Sequence, residues 1–340
     1  MNTKRDRARQ PPTMADVARL AGVNRVTASV ALRGVRAGTH VSEETRQRIL
    51  AAAKQLGYTP NAIALALRRQ RTDLIGYYVA HGYLSPYDPF TAAVIDGLQT
   101  GCNRHHQDLL MYGGFERRSP DEIYAAMSGG KIDGLVLLPA PHNPVLDKLA
   151  GSHLPVVALA NRFGGLPYVG MNEAQSGPLI ADYLAQRGHR HILYRSDKYA
   201  LDSALLRLRA FQEAAARHGL TVTLGHPRDD YGHLGEQERA LLLGPTSQRP
   251  TAAVCWVDSS AYTLLEECQT LGLRVPEDLA VVGFDGVQLR IPPARLLTTI
   301  RAPWTEAASA AVDVLIALIE GRTAPQETIF PVELMVGDTA

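Results

Sequence analysis

From Leu74 onward the chain changes period. Short, nearly continuous apolar runs, LIGYYVA, DLLMYGG, IDGLVLLPA and LPVVALAN, alternate with segments such as FTAAVIDGLQTGCNRHH and SPDEIYAAMSGG that carry a helical pattern. Runs apolar on both faces are strands buried in a parallel sheet, and parallel strands need crossovers, usually helices, to join them. The order repeats downstream with HRHILYRS, TAAVCWVD and DLAVVGFDG. An open α/β sheet built twice satisfies this pattern, giving two doubly wound lobes with a cleft between them. Ligand sites of such sheets lie outside the carboxyl ends of the strands.

The segment before Leu74 is of another kind. Residues 1–72 carry a net charge of +10, while the remainder carries −9, although the whole chain is nearly neutral at +1. A basic head on an acidic body points to a polyanion-binding module attached to a unit that does not share that role. Within the head, Thr13 and Asp16 have the spacing of a capping box opening a first helix to about Ala21, with Val17 and Leu20 inward. Gly22 supplies a turn, Asn24 caps a second helix from Arg25 to Arg33, and Gly34 stops it. A third helix, capped by Ser42, carries Ile49, Leu50, Ala53 and Leu56 on one face before Gly57.

Three short helices around so small a core suit a helix-turn-helix domain whose second helix enters the major groove with its N-terminus leading. On that geometry Arg25 can donate two parallel bonds to a guanine, and Val26 or Val30 can press a thymine methyl. Thr27, Ser29, Arg33 and His40 are placed for phosphates. Val30 has a small core position as its alternative reading.

Composition narrows the rest. No apolar run reaches the roughly 20 residues of a membrane helix, and the charged start MNTKRDRARQPP is followed by no apolar signal core. Three cysteines in no metal or CxxC spacing suit a reducing, cytoplasmic compartment, and neither a metal nor a cofactor is expected. The α/β body invites an enzyme as a rival reading, and a solute-binding protein as another. The sequence has no G-x-S-x-G elbow, phosphate loop or H-E-x-x-H helix, and a transport-type binding protein has no use for a basic head.

The stretch DVARLAGVNRVTASVALRG, followed by HVSEETRQRILAAAKQLGYTPNAIALALR, resembles the DNA-binding domain and hinge of the lactose/galactose repressor family of bacterial transcription regulators. The body resembles that family's effector-binding, periplasmic-binding-protein-like core in GHRHIL, GLRVPEDLAVVGFDG, LLTTIRAPW and VELMVGDTA. The resemblance implies a tail at 1–12, a helix-turn-helix domain at 13–59 and a hinge at 60–72. A core follows at 73–340, with one lobe at about 73–172 plus 299–324 and the other at about 173–298 plus 325–340.

It further implies that Thr13 and Asn61 lie at the DNA, that Leu67 wedges between base pairs in the minor groove, and that the small Ala64 lets two hinge helices approach. An ordinary linker leucine is the other reading of Leu67. The implied partners are a pseudo-palindromic duplex operator, a second copy of the chain and a small effector of sugar or polyol type. With no leucine heptad after the core, a homodimer is expected rather than a coiled-coil tetramer.

Three positions carry over from the family as effector contacts: Arg207 in SALLRLRAF, Asp285 in VVGFDG and Asp258. A group that only donates opposed to one that only accepts suits a polyol, with structural ion pairs or caps as the alternative. Tyr78, His81, Phe90 and Trp256 lie near strand ends, where aromatic faces stack on rings or fill core. There are departures. Asn24-Arg25-Val26-Thr27-Ala28-Ser29 stands where the family has Ser-x-x-Thr-Val-Ser, so an operator sequence does not transfer. Val257 and Leu205 replace an Asn and an Arg common near the pocket. The expectation is a ligand-responsive repressor of a catabolic operon, and not an enzyme.

Overall fold

The computed structural model describes residues 11–33, 41–80, 88–113, 115, 118–196, 200–225, 232–245, 248–286 and 295–340. His40 and His81 lie outside them. The chain divides into two compact units between Thr72 and Asp73.

The first unit holds α1 (Met14–Leu20), α2 (Arg25–Arg33), α3 (Glu43–Leu56) and α4 (Ala62–Arg69). Local chemistry sets their ends. Thr13 and Asp16 form a reciprocal capping box, Asn24 Oδ1 accepts from the Thr27 amide at 2.7 Å, and Ser42 Oγ accepts from the Thr45 amide at 3.3 Å. Gly57 closes α3 in the left-handed region at φ 61°, where a side chain would be strained. Val17, Ala28, Ala31, Ile49 and Ala52 form the core, and the small side chains let three helices meet closely. The expected inward faces need correction. Leu20 is 47% exposed and Leu50 39% exposed, while Met14, Ala18 and Ala52 are buried instead. In a seven-residue helix the apolar stripe covers less than two turns, so one residue's drift around the axis changes its side.

The second unit contains two six-stranded sheets. The first joins β1 (Leu74–Val79), β2 (Asp108–Tyr112), β3 (Gly134–Leu138), β4 (Val156–Leu159), β5 (Tyr168–Met171) and β11 (Glu327–Phe330). Their order is β2-β1-β3-β4-β5-β11, and every pairing is parallel. The second joins β6 (His191–Arg195), β7 (Thr221–Gly225), β8 (Ala252–Cys255), β9 (Ala280–Asp285), β10 (Thr298–Arg301) and β12 (Glu333–Met335). Its order is β7-β6-β8-β9-β10-β12, parallel except that β12 runs antiparallel to β10. Strand order reverses at β1/β3 and at β6/β8, which is where such sheets open a ligand crevice.

Helices cover both sheets, among them α6 (Pro120–Ser128) and α7 (Pro144–Ala150) on the first and α10 (Glu236–Leu242) on the second. On the first lobe α5 (Pro89–Arg104) lies against α12 (Trp304–Ile319). A Cβ on Gly97 would come within 2.2 Å of the Thr305 carbonyl oxygen, so only glycine permits that approach. On the second, α8 (Glu173–Gln186) packs on α9 (Asp202–Arg217) through Gly177. The chain passes between lobes three times, and two boundaries differ from expectation. Residues 298–301 pair with β9 in the second sheet, so that passage follows Arg301 rather than preceding residue 299. Residues 327–330 pair with β5 in the first sheet, so the last passage follows Phe330 rather than residue 324. An apolar run shows that a strand exists but not which sheet edge it completes.

Candidate functional site

In the first unit the leading turn of α2 presents Arg25 and Val26 outward, and Val26 is 70% exposed. Thr27, Ser29 and Val30 are half-buried along the same helix, and Arg33 is its last residue. Asn24 is exposed and holds the helix start, so the first turn is fixed from below while its side chains stay free to reach outward. Thr13 caps α1 rather than lying loose.

Asn61 caps α4 by accepting from the Ala64 amide at 3.1 Å. That helix has no buried residue, and Ile63 and Leu67, one turn apart, are 81% and 82% exposed. Ala64 is exposed beside them. Eight residues are fewer than an isolated helix needs for stability in water, and an uncovered apolar edge of this kind calls for a partner surface.

In the second unit Arg207, Asp258 and Asp285 are all buried at the carboxyl ends of the second sheet's strands. Arg207, six positions into α9, forks onto Glu173 in the first turn of α8. Nε donates to one carboxylate oxygen at 2.6 Å and Nη2 to the other at 3.2 Å. Nη1 donates to the Trp256 carbonyl oxygen at 2.9 Å, and the guanidinium lies 3.4 Å from the Phe284 ring centroid. Burial pushes the Glu173 carboxyl upward, against the Arg207 charge. Burial likewise opposes the Arg207 charge, yet Glu173 holds its pKa above the ordinary value. Two charge-assisted bonds on one planar fork make this an ion pair.

Asp258 opens α11 (Asp258–Leu271) and uses both oxygens on the protein. One accepts from Thr299 Oγ1 at 2.5 Å, the other from the Gly286 amide at 2.7 Å. Gly283 leaves room for it, since a Cβ there would lie 2.2 Å from the carboxylate. Asp285 ends β9 with φ 131°, a strained backbone for a residue with a side chain, and accepts from Trp304 Nε1 at 3.0 Å. Its carboxyl is pushed well above the usual range, first by burial and then by Asp258, with Arg207 acting the other way.

That shift has a stability consequence. A carboxyl whose folded pKa is raised weakens the fold as pH climbs from its unfolded value through its folded value, and the full penalty is present above both. Asp285→Asn keeps the acceptor for Trp304 and removes the charge. It is expected to raise the melting temperature at neutral pH, by about 1–2 kcal/mol of stability, with the gain vanishing below about pH 4 where both carboxyl states are protonated. Thermal unfolding at several pH values measures it.

Not every expected residue joins this group. Trp256 contributes its carbonyl, and its half-buried ring packs with Ala80, Ala140, Leu201 and Ala204. Phe90 meets Trp304 edge to face at 4.9 Å. Tyr78 instead enters a satellite core with Ile123 and Met127 and stacks edge-on against Phe115 at 5.5 Å. Strand alternation sends its neighbour Tyr77 to the opposite face of the sheet, into the larger core.

Sequence reading also missed Glu173, Trp304 and the bridge between lobes, in which Asn161 Oδ1 accepts from the Ser203 amide at 3.1 Å. The signal for Glu173 was its place, an acid in the first helical turn after a strand end. Two spaces lie nearby. One beside Arg207 has about 10 Å³, room for a single water. The other, lined in part by Gly286, Arg301, Trp304 and Glu306, has about 320 Å³, within the range of small-ligand sites. Among the described residues no three His, Cys, Asp or Glu side chains cluster as a metal site, and no helix is long and apolar enough to cross a membrane.

Comparison with known proteins matches residues 13–61 to the family model "Bacterial regulatory proteins, lacI family" and residues 181–340 to "Periplasmic binding protein-like domain". The ribose operon repressor of Escherichia coli (strain K12) is 30% identical over 336 residues, covering 93% of this chain and 96% of the relative. The HTH-type transcriptional repressor PurR of Vibrio cholerae serotype O1 (strain M66-2) is 29% identical over 322 residues, covering 91% and 92%. Among solved structures, the lac repressor dimer bound to operator and the anti-inducer ONPF aligns with TM-score 0.79 at 23% identity, over 97% of this chain and 99% of that one. The complex of the transcriptional regulator CelR with cellobiose aligns at TM-score 0.67 and 24% identity, over 97% and 100%.

Proposed function

The chain belongs to the lacI family of bacterial regulatory proteins, and from that premise we propose that it is a cytoplasmic, homodimeric repressor whose grip on duplex DNA is set by a small effector. The observation that carries this reading is the outward-facing leading turn of α2, with Arg25 and Val26 exposed on a unit of net charge +10. Two such units reach successive major grooves of a pseudo-palindromic operator, because two-fold protein symmetry calls for two-fold DNA. Arg25 reads a base edge; Thr13, Asn24, Thr27, Ser29, Arg33 and His40 hold the backbone.

The uncovered edge of α4 supports a hinge role. Leu67 enters the minor groove and Ala64 faces the second copy, an arrangement in which apolar side chains unstack DNA in return for added contact. Effector binding between the lobes, against Arg207 and Asp285, shifts the population of α4 geometries that fit DNA. Asp258, with both oxygens committed to Thr299 and Gly286, positions the strand end instead of meeting the ligand. The chain's task is regulation, with no reaction catalysed.

Arg25→Ala tests the reading helix. Operator affinity is expected to fall by about 1–3 kcal/mol, roughly ten- to a hundredfold, with preference lost at one base pair per half-site. Fluorescence anisotropy on operator and scrambled duplexes measures it; unchanged discrimination would remove Arg25 from base reading. Effector and operator affinities must also shift by one common factor when each is measured with and without the other.

A further inference from the structure

The first turn of α9 belongs to the second lobe yet packs on the first. Leu201 and Ala204 are buried, and they form a small apolar cluster with Ala80 and Ala140 of the first lobe and Trp256 of the second. Between these two residues the Ser203 amide donates to Asn161 Oδ1 across the lobes. Such contacts run directly from lobe to lobe, in addition to the three covalent passages.

The polar half of this contact is built from the end of β4. Ala160 adopts a left-handed backbone at φ 65°, unfavourable for a residue with a Cβ, and the chain then delivers Asn161 and Arg162 to α9. The Arg162 amide donates to Asp202 Oδ2 at 3.5 Å, and Nη1 lies 3.6 Å from the same oxygen. Within its own lobe Arg162 is fixed twice. Its Nε donates to Glu327 Oε1 at 2.8 Å, and its guanidinium lies 4.3 Å from the Tyr168 ring centroid. A long side chain already held by one lobe loses little further freedom when it meets an acid on the other. The Arg162 and Asp202 side chains are 39% and 40% exposed, so water moderates their attraction.

We propose that Asn161 and Arg162, seated on Ser203 and Asp202, form a latch by which the chain holds its two lobes together through its own side chains, with Arg162 as the adjustable member. The buried amide bond and the apolar cluster set where α9 docks. The half-exposed charge pair sets how much of the time it stays docked. Because α9 also carries Arg207, a molecule that parts the lobes works against this latch. The latch therefore sets the threshold of the effector response and not the identity of the effector. That consequence rests on the effector reading above, whereas the latch itself is tested on the chain alone.

The test is hydrogen exchange of the full chain, followed by mass spectrometry over residues 201–206 and, as an internal reference, over β8 inside the second sheet. Exchange in the first turn of α9 reports separation of the lobes, whereas exchange in β8 reports opening of the lobe itself. Arg162→Gln and Asp202→Asn are each expected to speed exchange over 201–206 about two- to fivefold, the range of an exposed ion pair, with β8 unchanged. The double variant should exchange no faster than the faster single variant, because both changes remove one interaction. Fraying of α9 from the lost acid alone would instead make the two effects add.

Unchanged exchange in either single variant, additive effects in the double variant, or an equal rise in β8 overturns the latch. Operator binding, measured on the same preparations, keeps the two readings apart. Failure of DNA binding sinks the regulator assignment and leaves the latch standing, whereas unaltered exchange in variants of a chain that still binds DNA sinks only the latch.

Discussion

Raising the salt concentration from about 50 to about 200 mM is expected to weaken operator binding by three to five powers of ten. The expectation follows from where charge resides. The first unit is strongly basic while the body is acidic, so DNA affinity comes from cations concentrated in a small module and doubled in a dimer. Each phosphate neutralised releases condensed counterions, and about 6–10 such contacts across two heads produce a slope of this size. Anisotropy titrations across the salt range give the slope directly. A value near zero would mean that the basic unit does not lie along the phosphates, and the regulator assignment would fail with it. Arg68→Ala, on exposed α4, should flatten the slope by about two per dimer while leaving sequence preference intact.

The second large effect concerns buried ion pairs. Arg207→Ala is expected to lower folding stability by about 3–5 kcal/mol, because Glu173 would remain buried without its partner. Pairing that change with Glu173→Gln should recover much of the loss, since the orphaned charge leaves too. Arg195→Ala belongs to the same class. Arg195 is fully buried, bonds Glu238 at 2.9 and 3.2 Å and donates to the Gly232 carbonyl oxygen at 2.7 Å, so its loss frees several partners at once. Arg209→Ala provides the contrast. Its pair with Glu213 is largely exposed, and its loss should cost less than about 1 kcal/mol. Chemical denaturation of the four variants measures the series; equal losses for Arg207 and Arg209 would mean that Glu173 is solvated.

Much of the fold was legible because it is written locally. Thr13 with Asp16, Asn24, Ser42 and Asn61 each state a helix start in the chemistry of one or two side chains. The buried strands announce themselves by their length and lack of polar residues. Leu20 and Leu50 were misread because seven- and fourteen-residue helices with mixed small residues leave the buried face poorly defined. The lobe boundaries escaped for a different reason: β11 and β12 are four and three residues long, and only the pairing geometry shows that they finish different sheets.

The site was readable in part. Arg207, Asp258 and Asp285 came from motif resemblance, and the structure gathers them at strand ends. Their partners Glu173, Thr299 and Trp304 are between 19 and 41 residues distant along the chain from the groups they bond. No local pattern encodes such encounters. Tyr78 and Tyr77 illustrate the limit at its smallest, because adjacent tyrosines on one strand serve opposite faces and enter different cores.

The bridge from Asn161 to the Ser203 amide has a consequence for how motion is transmitted. Helix α9 has no capping side chain of its own at Leu201; its first turn is finished by an acceptor from the opposite lobe. Separating the lobes therefore leaves an amide in the first turn of the helix that carries Arg207 without its acceptor, while Arg207 itself stays held by Glu173 and the Trp256 carbonyl of its own lobe. Amide exchange at Ser203 becomes a clock for that opening, ticking faster when the jaws part and stopping when they shut.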